Sequence, residues 1–269
     1  MPFAPQVLSS SSNPLLKEIR RAASRGSLTE QGYAVAEGAH LLDEAIESGI
    51  EIAAILTSDE IDGEEYDWPP QAAIYQLPKA LFREVATTDS PQGFITLVRP
   101  RECHIGELFS SSSTTLLLDG IQDPGNAGAI VRAAEAFAAT GVVFLKSTVS
   151  PFNPKCLRAS AGSLFRLPYL NHPDPEPVRA AIAEHGILLY AAMPEAELRI
   201  DQVDWSRPSA VVVGSEGRGV SELWSAGATP ISIPTTGVES LNAATAAAVI
   251  LYEARKRVAA VQLTPTSTW

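Results

Sequence analysis

The chain has 269 residues, 45% of them apolar and 19% charged, a balance that supports a packed core and excludes disorder as its main state. Its net charge of -11 excludes a protein that coats nucleic acid through bulk charge and leaves room for a local basic site. Two cysteines, Cys103 and Cys156, stand outside any C-x-x-C pattern; they are too few for a disulfide framework or a thiolate metal site and read as free thiols of a reducing cytosol.

In chain order, Asn13 and Pro14 precede the pattern LLKEIRRAA. A capping Asn followed by Pro at the first helical position predicts a helix. Leu15, Leu16 and Ile19 share one face and Lys17, Arg20 and Arg21 lie largely on the other, so that the basic face is either solvated or a nucleic-acid contact. Strands are predicted over 33–37, 52–56, 72–75 and 93–98, with helices over 38–48 and 78–85. Residues 1–99 form a first, smaller α/β domain, and 100–114, closing in a Ser/Thr run, form a linker. The acid concentrates here, since residues 31–110 hold 15 acidic and 4 basic side chains.

The second domain, 115–269, opens with a buried strand over 116–119, then a helix capped by Asn126 and running to Ala139, and a strand over 142–145. A helix over 154–160, a strand over 165–170, a helix over 175–185 and a strand over 187–191 follow. Next come two short apolar strands, Val211-Val-Val213 and Ile231-Ser-Ile-Pro234, and a long Ala-rich helix ending in Arg255-Lys-Arg257. This alternation predicts an α/β fold with a mainly parallel sheet covered on both faces. The last helix is apolar nearly all round, which places it in the core or at a subunit interface. No run approaches the roughly 18 apolar residues of a membrane span, and the N-terminus lacks the charged start and apolar stretch of a leader, so a soluble, cytoplasmic protein away from membranes is expected.

Three strand exits combine glycine with polar side chains. In Asn126-x-Gly128-x-x-x-Arg132, Gly128 permits close backbone approach and Arg132 follows a helix start that favours anions, although a capping Asn and a surface Arg would look the same. Gly214-Ser-Glu-Gly-Arg-Gly-Val-Ser221 has three glycines in six positions without the G-x-G-x-x-G spacing of a dinucleotide site, and Glu216 is also readable as a carboxylate at a helix start. In Glu239-Ser-Leu-Asn-Ala243, Ser240 or Asn242 suffices to cap the helix that follows.

Taken together, in this order and at these separations, the three segments resemble the signature motifs of the SpoU (TrmH-type) RNA ribose methyltransferases. The stretch Pro154-Lys-Cys-Leu-Arg-Ala-Ser-Ala-Gly162 is similar to the family's segment between its first two motifs. Ser12-Asn-Pro-Leu-Leu-Lys17, Val35-Ala-Glu-Gly-Ala-His40 and Ser90-Pro-Gln-Gly93 resemble its L30-like substrate-binding domain. The resemblance implies a SPOUT fold with a C-terminal trefoil knot, a homodimer through the methyltransferase domain with the active site at its interface, and bent S-adenosylmethionine held in the knot's loops. Carried over, Gly214, Ser215, Ile233, Leu241 and Asn242 hold the cofactor, and Asn126, Arg132, Glu216, Ser240 and Asn242 form the catalytic site; no metal is implied. Ala133 and Ala243 stand where relatives often carry other residues, and neither change removes a functional group.

Methyl transfer to a ribose 2'-hydroxyl requires an in-line arrangement and the loss of one proton. An arginine with a pKa above about 12 is a poor base. The expected role of Arg132 is therefore to orient a phosphate and stabilise developing negative charge, with the proton leaving through Ser240, the phosphate or water. Lys155 and Arg158, in a stretch richer in cations than acids, and Lys17, Arg20 and Arg21 are the expected RNA contacts. The expected activity is methylation of 23S ribosomal RNA. Transfer-RNA methylation and a non-catalytic RNA-binding or assembly role are the alternatives, and a nucleotide-dependent oxidoreductase is disfavoured by the glycine spacing.

Overall fold

The computed structural model describes residues 5–101, 103–109 and 114–259, without the side chains of 257–259. Glu102 and 110–113 of the predicted linker, and the side chain of Arg257, lie outside the described residues. The chain divides into two compact units, Met1–Glu102 with Ser150–Arg166, and Cys103–Val149 with Leu167–Trp269.

The first unit is built on strands β1 (Gln6–Val7), β2 (Ala34–Glu37), β3 (Ile52–Ser58), β4 (Ala73–Leu77) and β5 (Phe94–Val98), in the order β1-β4-β3-β5-β2. β3 pairs parallel with β4 and antiparallel with β5. Helices α1 (Pro14–Arg25), α2 (Ala39–Glu47) and α3 (Lys79–Val85) pack on these strands. α1 starts as the local signals require: the Asn13 side chain accepts the Leu15 N–H at 2.9 Å, with Pro14 in the first turn. Its Leu16, Ile19, Ala22 and Ala23 are buried at helical spacing and join Leu56, Phe82 and Ile95 in the core.

In the second unit α4 (Ile105–Leu108), β6 (Thr114–Asp119), α5 (Pro124–Ala136) and β7 (Gly141–Phe144) come first. The chain then supplies α6 (Pro154–Ser160) and α7 (Ser163–Arg166) to the first unit, where α6 lies against β2. It returns for β8 (Tyr169–Asn171), α8 (Pro175–Glu184), β9 (Leu188–Ala192), β10 (Ser209–Gly214), α9 (Glu222–Ser225), β11 (Thr229–Ile231) and α10 (Ala243–Ala259). The six strands, ordered β11-β9-β10-β6-β7-β8, are parallel throughout. Strand alternation divides the apolar side chains: Leu117, Val143 and Val212 share a core cluster with Val178 and Ile182 of α8 and Trp224 of α9. α10 packs on α5 and β10.

Two predicted strands are corrected. Phe165, expected in a strand, belongs to α7: Gly162, at φ +86°, starts a turn in which the Phe165 N–H donates to the Gly162 carbonyl, and the strand begins only after Pro168. Short apolar runs suit either state. The strand expected at 231–234 ends at Ile231, because Ser232 pairs with the 198–200 segment instead, donating to the Leu198 carbonyl and accepting from the Ile200 N–H, both at 2.9 Å. Ile233 is thereby released from the sheet. Among the described residues no helix is long and apolar enough to cross a membrane.

Among the described residues of the first unit one acidic side chain is almost fully buried. Glu37, 2% exposed, accepts the Thr87 N–H at 2.7 Å and the hydroxyls of Thr87 and Thr88, and Arg158 of α6 lies at 3.5 Å. Removing Glu37 takes the charged acceptor from the Thr87 N–H and from the hydroxyls of Thr87 and Thr88, and a hydrogen bond to a charged group is worth about 1.5–3 kcal/mol. Glu37→Ala should therefore lower unfolding free energy by about 3 kcal/mol, whereas Arg21→Ala, at an exposed pair with Glu30, should leave the urea midpoint in place. Burial pushes the Cys156 thiol up to about 12. A folded value above the unfolded one gives stability that is complete below the unfolded pKa and is lost as pH rises through the folded value. In Cys103→Ser protein no thiol should react with a disulfide reagent at pH 8 until urea is added, and Cys156→Ala should reduce the alkaline loss of stability.

Candidate active site

β6 and β10 are neighbours at the point where the strand order reverses: the chain proceeds from β6 to β7 on one side, and β10 is inserted later on the other. Ligands of open α/β sheets bind at the carboxyl ends of strands at such a point. Here those ends are Asp119 and Gly214, paired in register.

A side chain at Gly214 would have its Cβ 2.1 Å from the Gly219 carbonyl carbon, because the chain folds back at once. The Gly219 N–H donates to the Ser215 carbonyl at 2.8 Å, the Arg218 N–H donates to Ser215 Oγ at 3.3 Å, and Gly219 sits at φ +64°, a conformation glycine adopts without steric cost. The far end of this hairpin is tied down by Asp119, 8% exposed, whose Oδ2 accepts the Ser221 N–H at 2.7 Å. The β6 exit is held in turn by Thr148, whose hydroxyl accepts the Gly120 N–H at 3.0 Å and donates to the Leu118 carbonyl at 2.6 Å.

Asn126 does not cap α5, contrary to expectation. Asp123 does, its Oδ1 accepting the Asn126 backbone N–H at 2.8 Å. The Asn126 side chain is therefore available and donates from Nδ2 to Glu216 Oε1 at 3.1 Å. Asn242 donates from Nδ2 to the same oxygen at 2.7 Å and to Asn126 Oδ1 at 3.1 Å. Its own Oδ1 accepts the N–H groups of Ala244 and Thr245 at 2.9 and 3.3 Å, so Asn242 caps α10 with one end of its amide and joins the network with the other. Glu216 is not a helix-start carboxylate, since α9 begins at Glu222. Its Oε1 receives two amide donors, which leaves Oε2 open.

Beside this network lies a cavity lined by Gly214, Ser215, Ile233, Ser240 and Leu241, with Ile231 and Ala246 among its apolar walls. All five predicted cofactor residues are thus on it or, for Asn242, one residue from the lining Ala243. Met193 and Pro194, from the β9 exit, also line it, and no glycine pattern marks them in the sequence. Asp119, Asp123 and Thr148 were likewise absent from the expected set; the acidic end of the apolar run Leu116-Leu-Leu-Asp119 was the available signal. A second cavity shares Ser215, Glu216 and Gly219 of the hairpin with the first and is lined by the polar side chains of Asp119, Gln122, Asn126, Ser147, Arg218 and Ser221.

Arg132 does not join the network. It is exposed, and six residues after Asn126 on α5 it points about 120° away around the helix. Of the predicted RNA contacts, Lys17 and Lys155 are exposed, Arg20 pairs with Glu84 and Arg21 with Glu30 at the surface, and Arg158 turns inward to Glu37 and Thr87. No group of His, Cys, Asp and Glu able to hold a metal ion occurs among the described residues.

Residues 113–252 match the model of the SpoU rRNA methylase family, and residues 13–96 match an MRM3-like substrate-binding domain. The chain is 31% identical to a 23S rRNA (guanosine(2553)-2'-O)-methyltransferase of Bacillus subtilis over 92% of this chain and 98% of that one. It is 31% identical to a 23S rRNA (uridine(2479)-2'-O)-methyltransferase of Streptomyces viridochromogenes, over 73% of this chain and 64% of that one. The crystal structure of the SpoU methyltransferase AviRb from Streptomyces viridochromogenes in complex with AdoMet superposes with a TM-score of 0.81 at 25% identity, covering 92% of this chain and all of the other. With the Asn126, Glu216 and Asn242 segments brought together at the switch point of a parallel sheet, this chain belongs to the SpoU family of RNA methyltransferases.

Proposed function

We propose that this protein methylates a ribose 2'-hydroxyl of 23S ribosomal RNA, with S-adenosylmethionine as the methyl donor. The observation that carries the reading is the Asn126–Glu216–Asn242 network, set beside the Gly214 cavity. The residues present fit the donor: Gly214, having no side chain, lets the 215–219 hairpin fold back so that Gly214, Ser215 and Gly219 line the cavity together, and Ile231, Ile233 and Leu241 offer apolar walls to a planar ring. When bound, S-adenosylmethionine supplies a methyl group activated by its sulfonium. Gly214 and Ser215 hold it through backbone, and Ile233 and Leu241 pack on it. Asn242 and Asn126 keep the Glu216 carboxylate fixed at the edge of the cavity. The 2'-oxygen would bond to the methyl carbon as the bond from that carbon to sulfur breaks, the sulfur leaving as a neutral thioether with the electron pair, and the hydroxyl proton would leave through Ser240, the RNA phosphate or water. Arg132 orients a phosphate and offsets the negative charge developing on that oxygen.

Since Arg132 faces away from its own chain's network, it serves the site of a second copy in a homodimer formed through the methyltransferase domain. Its exposure and that of Tyr252 on the packed α5–α10 pair support this. The same reading carries a trefoil knot in residues 210–257, and a cytoplasmic location where ribosomal RNA is modified. The first unit binds RNA. Lys17 and Lys155 meet phosphates, Arg20 and Arg21 exchange exposed carboxylate partners for phosphate, and Arg158 acts from its place beside Glu37.

Mapping 2'-O-methylation of host ribosomal and transfer RNA with and without the gene should show one 23S position lost; an unchanged map would overturn the reading. In vitro, Arg132→Lys should lower kcat by about 100-fold or more with cofactor affinity within about twofold, and retained kcat would contradict a role for the guanidinium fork. RNA affinity should fall steeply from 50 to 200 mM salt. Gly214→Ala should abolish cofactor binding in calorimetry.

A further inference from the structure

The 215–219 hairpin is a wall between two cavities of different chemistry. Ser215, Glu216, Gly219 and Ala243 line both. The first cavity is walled by Ile231, Ile233, Leu241 and Ala246. The second takes its walls mainly from the exits of β6, β7 and β10, and most of its side chains are polar, with Ile121 and Ala243 the apolar ones. Several of those groups are committed, Asp119 to the Ser221 N–H and Asn126 to Glu216. Three are not: the Gln122 amide, the Ser147 hydroxyl and the Arg218 guanidinium make no side-chain hydrogen bond or ion pair among the described residues. Their backbone is nonetheless held in place. Gln122 lies between Gly120, fixed by Thr148, and the Asp123 cap, Arg218 is inside the hairpin, and Ser147 sits at φ +73°, a left-handed conformation unusual for serine.

A group transfer needs its two reactants in line across a short gap. With the donor in the apolar cavity, the acceptor approaches from the other side of the shared edge, where Glu216 and Asn126 meet. We infer that the polar cavity receives the target nucleotide of the RNA, unpaired and turned out of any helix, with Arg218 on a flanking phosphate, Gln122 on the base edge and the ribose at Asn126 and Glu216. A guanidinium matches phosphate geometry. A primary amide, donor and acceptor at once, can distinguish base edges exposed in single-stranded RNA. Gln122 is then a specificity residue, and Ser147 a further donor or acceptor. The inference rests on the proposed methylation and deepens it.

The test uses the full chain, an unmodified 23S ribosomal RNA transcript and labelled S-adenosylmethionine. Arg218→Ala should raise the KM for the transcript about tenfold or more while calorimetric affinity for S-adenosylmethionine and Tm stay at wild-type values. Gln122→Ala should narrow the wild-type difference in kcat/KM between transcripts in which the methylated nucleotide is replaced by each of the other three. Unchanged RNA kinetics in both variants, on active wild-type protein, would overturn the cavity's assignment and leave the function standing. Weakened S-adenosylmethionine binding in Arg218→Ala would instead give that arginine to the cofactor and also overturn it. Wild-type protein that methylates neither this transcript nor transfer RNA would overturn the function and the inference with it.

Discussion

Asp119 and Gly214 stand side by side where two buried parallel strands end, and the rest of the site follows from what each permits. The chain leaving Gly214 doubles back so closely that its own Gly219 and Val220 occupy the space of a side chain. Asp119 then accepts an N–H from Ser221, which fixes the hairpin from the neighbouring strand. Glu216 is presented at the tip of a loop held at both ends, and its carboxylate is met by amides from Asn126 and Asn242, 90 and 26 residues away in sequence. An arrangement held by the backbone needs no reorganisation when charge develops beside it, which is the condition for electrostatic catalysis.

An acidic protein that handles a polyanion must ration its cations, and burial decides how. Glu37 is enclosed and requires donors, so Arg158 and two threonines are turned toward it. The Ser150–Arg166 segment, supplied from between two strands of the other unit's sheet, belongs to the first unit for this reason among others: Arg166 pairs with Glu44, and the α1 terminus at Gly26 approaches Asn153 too closely for a side chain. Arg20 and Arg21 pair at the surface, where water and salt weaken the attraction. Position in sequence alone did not separate these two kinds of arginine.

Local signals are decisive where they act within a few residues. Asn13 and Pro14 start α1 because cap and first turn are contiguous. An equivalent cap-and-proline signal, Asp123-Pro124, starts α5, and with Asp123 rather than Asn126 as the cap the Asn126 side chain is free for Glu216. Asn242 was readable as cap or as site residue, and it is both, because one amide has an acceptor end and a donor end. Strand limits near Phe165 and Ile231 were misplaced because a short apolar run does not reveal its partner, and Ser232 found one in the 198–200 segment.

The sequence by itself determined the fold class, the buried strands and the three polar segments, since hydrophobic period, glycine spacing and capping chemistry all act within a few residues. Only the tertiary structure decided that Glu216 accepts from Asn126 and Asn242, that Asp119 anchors the hairpin, that Arg158 faces a buried carboxylate and that Arg132 points away from the network. Hydrogen bonds across a hundred residues depend on strand order and helix rotation, and those are set when the sheet closes its core, at a distance no local pattern records.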